Sequence, residues 1–336
     1  MMLRLLALFL AVLAPLAAQR ISISWPTPSK AWAQGKSFEA WVQPTVSGNL
    51  ESGLYGSVRS NGTQFHEGID IKPMSRDSRG EATDPIFAAM SGIVRHVNLV
   101  AGNSSYGRYI VIEHPNVKPA VYTLYSHLAK VAPDITRGRP VKEGQVIATM
   151  GRSAGGYAIP KDRAHLHFEI GLMATENFQS WFTWKKFGSP NEHGNFNGMN
   201  LIGVDPLDFL QKWRARKVDN FEEFFAGLDS AVRVRVAAGR TPDFIKRYPE
   251  LLRKEIPLGL LGGWEIQFSA TGVPFAWTPL TPAQMGGQRA GSVQILAVDA
   301  AALRRNRGKS LAVAKGSGHV PGRDLTTALQ LVLGLR

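Results

Sequence analysis

Between residues 51 and 212, apolar residues fall in short runs divided by turn signals. Ile93-Val94-Arg95-His96-Val97 and Tyr109-Ile110-Val111-Ile112 have strand composition, and Asn61-Gly62, Ser91-Gly92, Arg137-Gly138 and Glu143-Gly144 punctuate them. Regular short strands of this kind predict a sandwich or a barrel. Residues 19–50 differ: Trp25-Pro26-Thr27-Pro28, Trp32, Trp41 and Pro44 oppose helix and predict an extended arm packed on the β-rich region, with an autoinhibitory contact as the alternative. Residues 172–204 interrupt the β pattern with Phe178, Trp181, Phe182, Trp184 and Phe187, two lysines, and then the polar string Ser189 to Asn195. They read as a long inserted loop, a feature usually tied to function. Its aromatics either anchor it to the core or present a stacking surface for sugar rings. From 213 to 336 the pattern changes again. Val232-Arg233-Val234-Arg235-Val236 alternates as a half-buried strand, Trp264 to Phe268 and Val293 to Val298 read as strands, Thr241-Pro242-Asp243 opens a helix, and Asp324 to Leu333 forms a terminal helix. The expectation is a mainly β protein with a smaller, separately folding C-terminal α+β domain.

Two strand-like strings concentrate metal-competent side chains. They are Phe65-His66-Glu67-Gly68-Ile69-Asp70 and Ala164-His165-Leu166-His167-Phe168-Glu169. Residues two or four apart on a strand share a face, so His66 goes with Asp70 and His165 with His167, while Ile69, Leu166 and Phe168 face a core. A catalytic zinc site takes three protein ligands and keeps one position open. His66, Asp70 and one of His165 and His167 would supply a His₂–carboxylate set. A further histidine, His127, sits in the strand-like run Tyr122 to Leu128. Glu67 and Glu169 are expected to turn away from the metal face into supporting or core-edge positions. Gly151-Arg152-Ser153-Ala154-Gly155 matches a nucleophile-elbow pattern, but Gly156 to Pro160 cannot begin the helix that an elbow requires. His96 and His114 lack a carboxylate at ligand spacing and read as structural, His193 as a loop residue, and His319 carries no assignment.

Composition narrows the setting. The chain has no cysteine, which excludes disulfides, thiolate nucleophiles and cysteine-ligated zinc. Met1 to Arg4 and then uncharged residues 5–18 have the form of a signal peptide, too short to span a membrane, so export to the periplasm, envelope or medium is expected. A net charge of +13 favours anionic partners. An exported chain meets anionic cell-wall polymer rather than nucleic acid. Nothing in the pattern predicts an integral membrane protein.

His66 and Asp70 at a spacing of four, a lone histidine in Tyr125-Ser126-His127-Leu128, and then His165-Leu166-His167-Phe168-Glu169 form a pattern that resembles the lysostaphin/LytM-type zinc endopeptidases of bacterial cell walls. The resemblance runs from about Tyr55 to Leu210. It includes Gly56-Ser57-Val58-Arg59, Tyr109 to His114, Val141 to Ile147 and the closing Asp205 to Leu210. It implies an antiparallel β-sandwich with the metal in a groove, Zn²⁺ held by His66, Asp70 and His167, and His127 and His165 as catalytic histidines. The implied substrate is the peptide cross-link of peptidoglycan. A non-catalytic relative that binds wall or activates another hydrolase is the alternative, which a missing ligand would mark. Arg108 and the long interval between Glu169 and Asp205 depart from the family pattern and bear on substrate preference.

Overall fold

The computed structural model describes residues 19–257 and 259–336, so the expected signal peptide lies outside the described residues. Alternation builds the principal sheet. In Tyr109–Glu113, Ile110 and Ile112 join one buried cluster while Tyr109 and Val111 join another on the opposite face. Tyr122–Ser126 and Leu166–Met173 continue the scheme: Tyr125, Leu166, Phe168 and Ile170 enter the first cluster, and Tyr122 and Leu124 the second. The sheet has seven strands. Leu201–Val204, Leu166–Met173, Tyr122–Ser126, Tyr109–Glu113, Gly92–Asn98 and Pro140–Val141 lie side by side in that order, and Ile69–Ile71 pairs with the first half of Leu166–Met173. All pairings are antiparallel. A three-stranded sheet of Pro85–Phe87, Val146–Thr149 and Lys130–Val131 contributes Ile86 and Ile147 to the same first cluster. The protein is thus mainly β with antiparallel sheets.

The arm is packed. Trp25 stacks on Trp32 at 5.1 Å between centroids, and Trp41 is buried edge-on to Trp25. Val42 bridges Ile71, Gln43 N–H donates to the Asp70 carbonyl and Lys72 N–H to the Trp41 carbonyl. The arm therefore continues the sheet beside the short strand that carries Asp70.

The 172–204 segment is not a loop throughout, and the first half of the chain is not all-β. Residues 172 and 173 complete a strand, Phe178–Lys185 is a helix, and Leu201–Val204 returns to the sheet. Phe178, Trp181 and Phe182 stand at helical spacing and are buried, which is why this stretch coils. Trp184 and Phe187 remain exposed. A second helix, Pro206–Arg214, is capped by Asp205, whose carboxylate accepts from Leu207 and Asp208 N–H.

In the C-terminal part a four-stranded antiparallel sheet is ordered Pro274–Leu280, Gly263–Phe268, Val232–Val236, Val293–Val298. The outer strand with two prolines sits at an edge, where a missing N–H is tolerated. The expected strands and terminal helix, Arg323–Leu333, are present. The buried cluster that begins at Trp41 and Ile69 runs on through Phe209, Phe224 and Val234 to Leu333. Met173 N–H donates to the Tyr248 hydroxyl at 2.9 Å across that junction. No helix among the described residues is long and apolar enough to cross a membrane.

Candidate active site

Strand register brings the metal-competent residues together. His167 pairs with Asp70 on one side and with Ser126 on the other. Directly opposed residues have their side chains on one face, so His167 and Asp70 meet. His66 ends the preceding strand, Gln64–His66, and reaches the same point across Gly68. That glycine is required by close approach, since a Cβ there would lie 2.4 Å from the Phe168 carbonyl oxygen.

Hydrogen bonds then select which atoms face inward. His66 Nδ1 lies 2.7 Å from the Leu54 carbonyl, which only accepts, so Nδ1 carries the hydrogen and Nε2 is free. His167 Nε2 donates to Glu169 Oε1 at 2.9 Å, which leaves Nδ1 free. The free atoms converge: His66 Nε2 to His167 Nδ1 is 2.9 Å, His66 Nε2 to Asp70 Oδ1 is 3.1 Å, and His167 Nδ1 to Asp70 Oδ1 is 3.0 Å. All three residues are buried. A tetrahedral ion with bonds of 2.0–2.1 Å needs donors about 3.3 Å apart, so small shifts would seat one. Three ring-nitrogen and carboxylate atoms this close in a dry pocket must share a proton or hold a cation. Burial opposes a charge on His167, yet its hydrogen bonds to Asp70 and Glu169 prevail and push it up to about 9. Burial alone would raise the Asp70 carboxyl, but the surrounding histidines outweigh it and hold it well below the usual carboxylate range. His66, Asp70 and His167 thus form a group that could hold a metal ion.

Two residues brace this group. Arg59 Nη2 donates to the second oxygen of Asp70 at 2.5 Å, and its Nε donates to the Ser52 carbonyl at 2.9 Å. Glu169 is held by the hydroxyls of Tyr106 at 2.6 Å and Tyr122 at 2.9 Å, besides His167. Burial, and then Glu169, push both phenols well above their usual range, so they stay protonated donors. The expectation that Glu169 turns away from the metal face is wrong. It stands two residues after His167, and the alternation that aligns His165 with His167 aligns Glu169 as well. Glu67 does turn away, with Lys309 Nζ 3.8 Å from its carboxylate.

His127 and His165 form the other half of the site. Their ring centroids are 4.7 Å apart, and His127 lies 6.0 Å from His167. His127 Nδ1 donates to the Ser153 carbonyl at 2.8 Å and His165 Nδ1 to the Arg163 carbonyl at 2.7 Å. Both therefore keep Nε2 as an unprotonated acceptor, and that of His165 is 3.6 Å from Asp70 Oδ1. Burial lowers the pKa of each, and in His127 the neighbouring His165 and His167 lower it further. His127 has φ of 59°, a left-handed conformation uncommon outside glycine that is met at functional sites. A cleft of about 880 Å³ opens over His66, His127 and His167, walled also by Thr45, Asn49, Arg59, Tyr106 and Tyr157.

The remaining sequence candidates lie elsewhere. Ser153 is no nucleophile: its hydroxyl donates to the Leu128 carbonyl, accepts from Arg108 N–H, and only a short 3₁₀ turn at Lys161–Arg163 comes after it. His114 is buried between the Ser91 carbonyl and the Thr123 hydroxyl. His193 packs beside His96 with its Nε2 on the Asn103 carbonyl, and His319 is on an exposed hairpin. Sequence reasoning did not single out Arg59, Tyr106 or Tyr122 as supports. Tyr122 stands opposite Gly171 and reaches Glu169 diagonally, a contact with no local signal.

A two-histidine, one-carboxylate group that could hold a metal ion thus stands beside two histidines whose Nε2 atoms are acceptors. Residues 64–178 match the family model described as Peptidase family M23. Among solved structures, the chain is similar to a zinc-containing peptidase from Vibrio cholerae, with 27% identity, a TM-score of 0.30, and coverage of 45% of this chain and 37% of that one. It is also similar to the catalytic domain of lysostaphin from Staphylococcus simulans, with 23% identity, a TM-score of 0.29, and coverage of 47% and 87%. A third is a putative glycyl-glycine endopeptidase LytM from Ruminococcus gnavus, with 28% identity, a TM-score of 0.26, and coverage of 32% and 39%. The chain thus spans little more than a third of the Vibrio peptidase's length. No curated protein matches the chain.

Proposed function

We propose that this chain is an exported zinc endopeptidase that hydrolyses peptide cross-links of bacterial peptidoglycan. The observation that carries the reading is the division of five imidazole and carboxylate groups into two sets. Three donor atoms of His66, Asp70 and His167 converge within 3.1 Å. The Nε2 atoms of His127 and His165 stay unprotonated beside them. When bound, zinc supplies a Lewis acid and water acidified to roughly neutral pKa. His165, nearer to Asp70, is placed to accept a proton from the attacking water. His127, across the cleft, is placed to stabilise the developing oxyanion or pass a proton to the leaving amine. Glu169 fixes the ring of His167 so that Nδ1 faces the ion, a carboxylate–histidine pairing common around zinc. Arg59 keeps Asp70 turned so that Oδ1, not Oδ2, faces inward.

The positive net charge and the leader-like start of the sequence support an anionic wall polymer as substrate and the envelope as location. All five side chains that the chemistry needs are present, which favours a hydrolase over a binding-only relative. Digesting purified peptidoglycan and identifying the released fragments by mass spectrometry tests the proposal. New peptide termini that vanish with a chelator and return with zinc are expected. Intact cross-links after prolonged incubation with the zinc-loaded chain would overturn it.

A further inference from the structure

A second cavity, of about 760 Å³, adjoins the cleft, and the two share Phe65, Glu67, Ser105 and Tyr106 as lining. Its far walls come from parts of the chain beyond residue 178, where the family match ends. The 172–204 segment supplies Trp181, Lys185 and Met199, and the C-terminal part supplies Lys309, Arg323 and Thr327. The family's own fold therefore does not account for it.

The lining has a definite chemistry. Lys185, Lys309 and Arg323 face it against two carboxylates, Glu67 and Asp324. Asp324 accepts from Ser310 N–H at 2.6 Å through one oxygen and lies 3.6 Å from Arg323 Nε through the other, while Glu67 lies 3.8 Å from Lys309 Nζ. Lys309 lies 4.2 Å above the Phe65 ring, at the junction of the two cavities. Arg323 leaves 83% of its side chain exposed. It is also the first residue of helix Arg323–Leu333, where the helix dipole disfavours a cation. Beside these charges Phe187 and Met199 stay 44% and 43% exposed on the same wall. Apolar surface next to three cations set against two carboxylates, a lining of net positive charge, suits a strand that carries both sugar faces and carboxylates.

We propose that this cavity is an extended subsite for the acidic glycan–peptide strand running away from the scissile bond, with Lys309 and Arg323 as its cationic contacts. The proposal rests on the peptidoglycan reading above. It makes the C-terminal part a wall of the binding surface, and it predicts that long substrates gain affinity that short ones do not.

Two substitutions in the full chain test it: Arg323→Glu reverses an exposed charge, and Thr327→Trp fills the cavity with no change of charge. Melting curves close to the parent's establish that both variants fold. Two readouts are needed: kcat and KM on soluble peptidoglycan fragments and on a short uncharged peptide, and binding to sedimented peptidoglycan at several salt concentrations. For Arg323→Glu the ratio of polymer to short-peptide kcat/KM is expected to fall about 10-fold, through KM, with a flatter salt dependence of binding. For Thr327→Trp the ratio falls while the salt dependence is kept. Unchanged ratios and unchanged binding in both variants would overturn the subsite. Equal weakening of binding to linear polyphosphate would show a general polyanion surface and overturn the assignment to this substrate. Should the parent cleave neither substrate, the hydrolase reading fails on its own, and the sedimentation arm still decides the subsite.

Discussion

The two halves of the active site are held in place by different means. Asp70 and His167 sit opposite each other on paired strands, and His66 ends a strand that pairs with Gly56–Arg59. Each has a second anchor: the Leu54 carbonyl, Arg59 and Glu169 respectively. His127 and His165 stand at strand margins, and each ring is held by a single carbonyl from a turn. Each side chain of the candidate metal group is thus held from a second side, whereas each ring of the other pair is held from one. Removing a group from the first half should abolish metal binding, whereas removing one from the second should leave the metal and abolish turnover.

The largest effect is expected for His66→Ala. It deletes one of three ligands from a dry pocket, so metal analysis should find little zinc and peptidoglycan hydrolysis should be lost. Stoichiometric zinc in that variant would break the comparison. Next come His127→Ala and His165→Ala, for which turnover at saturating zinc should fall about 10²–10⁴-fold, the usual contribution of a general acid or base. Near-parent rates from either would remove that histidine from the chemistry. Glu169→Gln keeps the shape but weakens the hold on His167. Zinc affinity, read by competition with a chelator, should drop about 10–100-fold. An unchanged affinity would reduce Glu169 to a packing residue. The smallest effect concerns pH. Because burial depresses the pKa of His127 and His165, both stay in the base form below the ordinary histidine value. With zinc kept saturating, activity should persist as pH falls through about 6.5 and decline only below it. A decline centred above that value would contradict the placement.

Much of the metal half was legible in the sequence because alternation along a strand is local information. The spacing of His165 and His167 gives their shared face, whereas His66 and Asp70 lie on separate strands broken at Glu67-Gly68 and meet across that break rather than along one strand. Glu169 was equally legible from its place two residues after His167, and the expectation that it faced away misapplied the same rule. The helix at Phe178–Lys185 was also encoded locally, in the spacing of Phe178, Trp181 and Phe182, but its aromatics suggested a binding loop. Other features have no local signature. The carbonyl of Ser153 orients His127 from 26 residues away, and the left-handed backbone at His127 is imposed by the turn around it. Pro274–Leu280 carries two prolines that weaken its strand signal, and its edge position permits them. The C-terminal part was expected to fold separately because the motif pattern ends near Leu210. The continuous buried cluster from Trp41 to Leu333 ties it to the rest, since which apolar faces meet is settled by tertiary packing.

His165 is the residue on which the division of the site turns, since its Nε2 lies only 3.6 Å from Asp70 Oδ1 and could be mistaken for a ligand atom. The decisive measurement is zinc stoichiometry together with turnover in the folded His165→Ala variant. One zinc per chain at near-parent affinity is expected, with hydrolysis reduced by at least about 10²-fold. Loss of the zinc along with the activity would place His165 in the ligand set and contradict the division of the site.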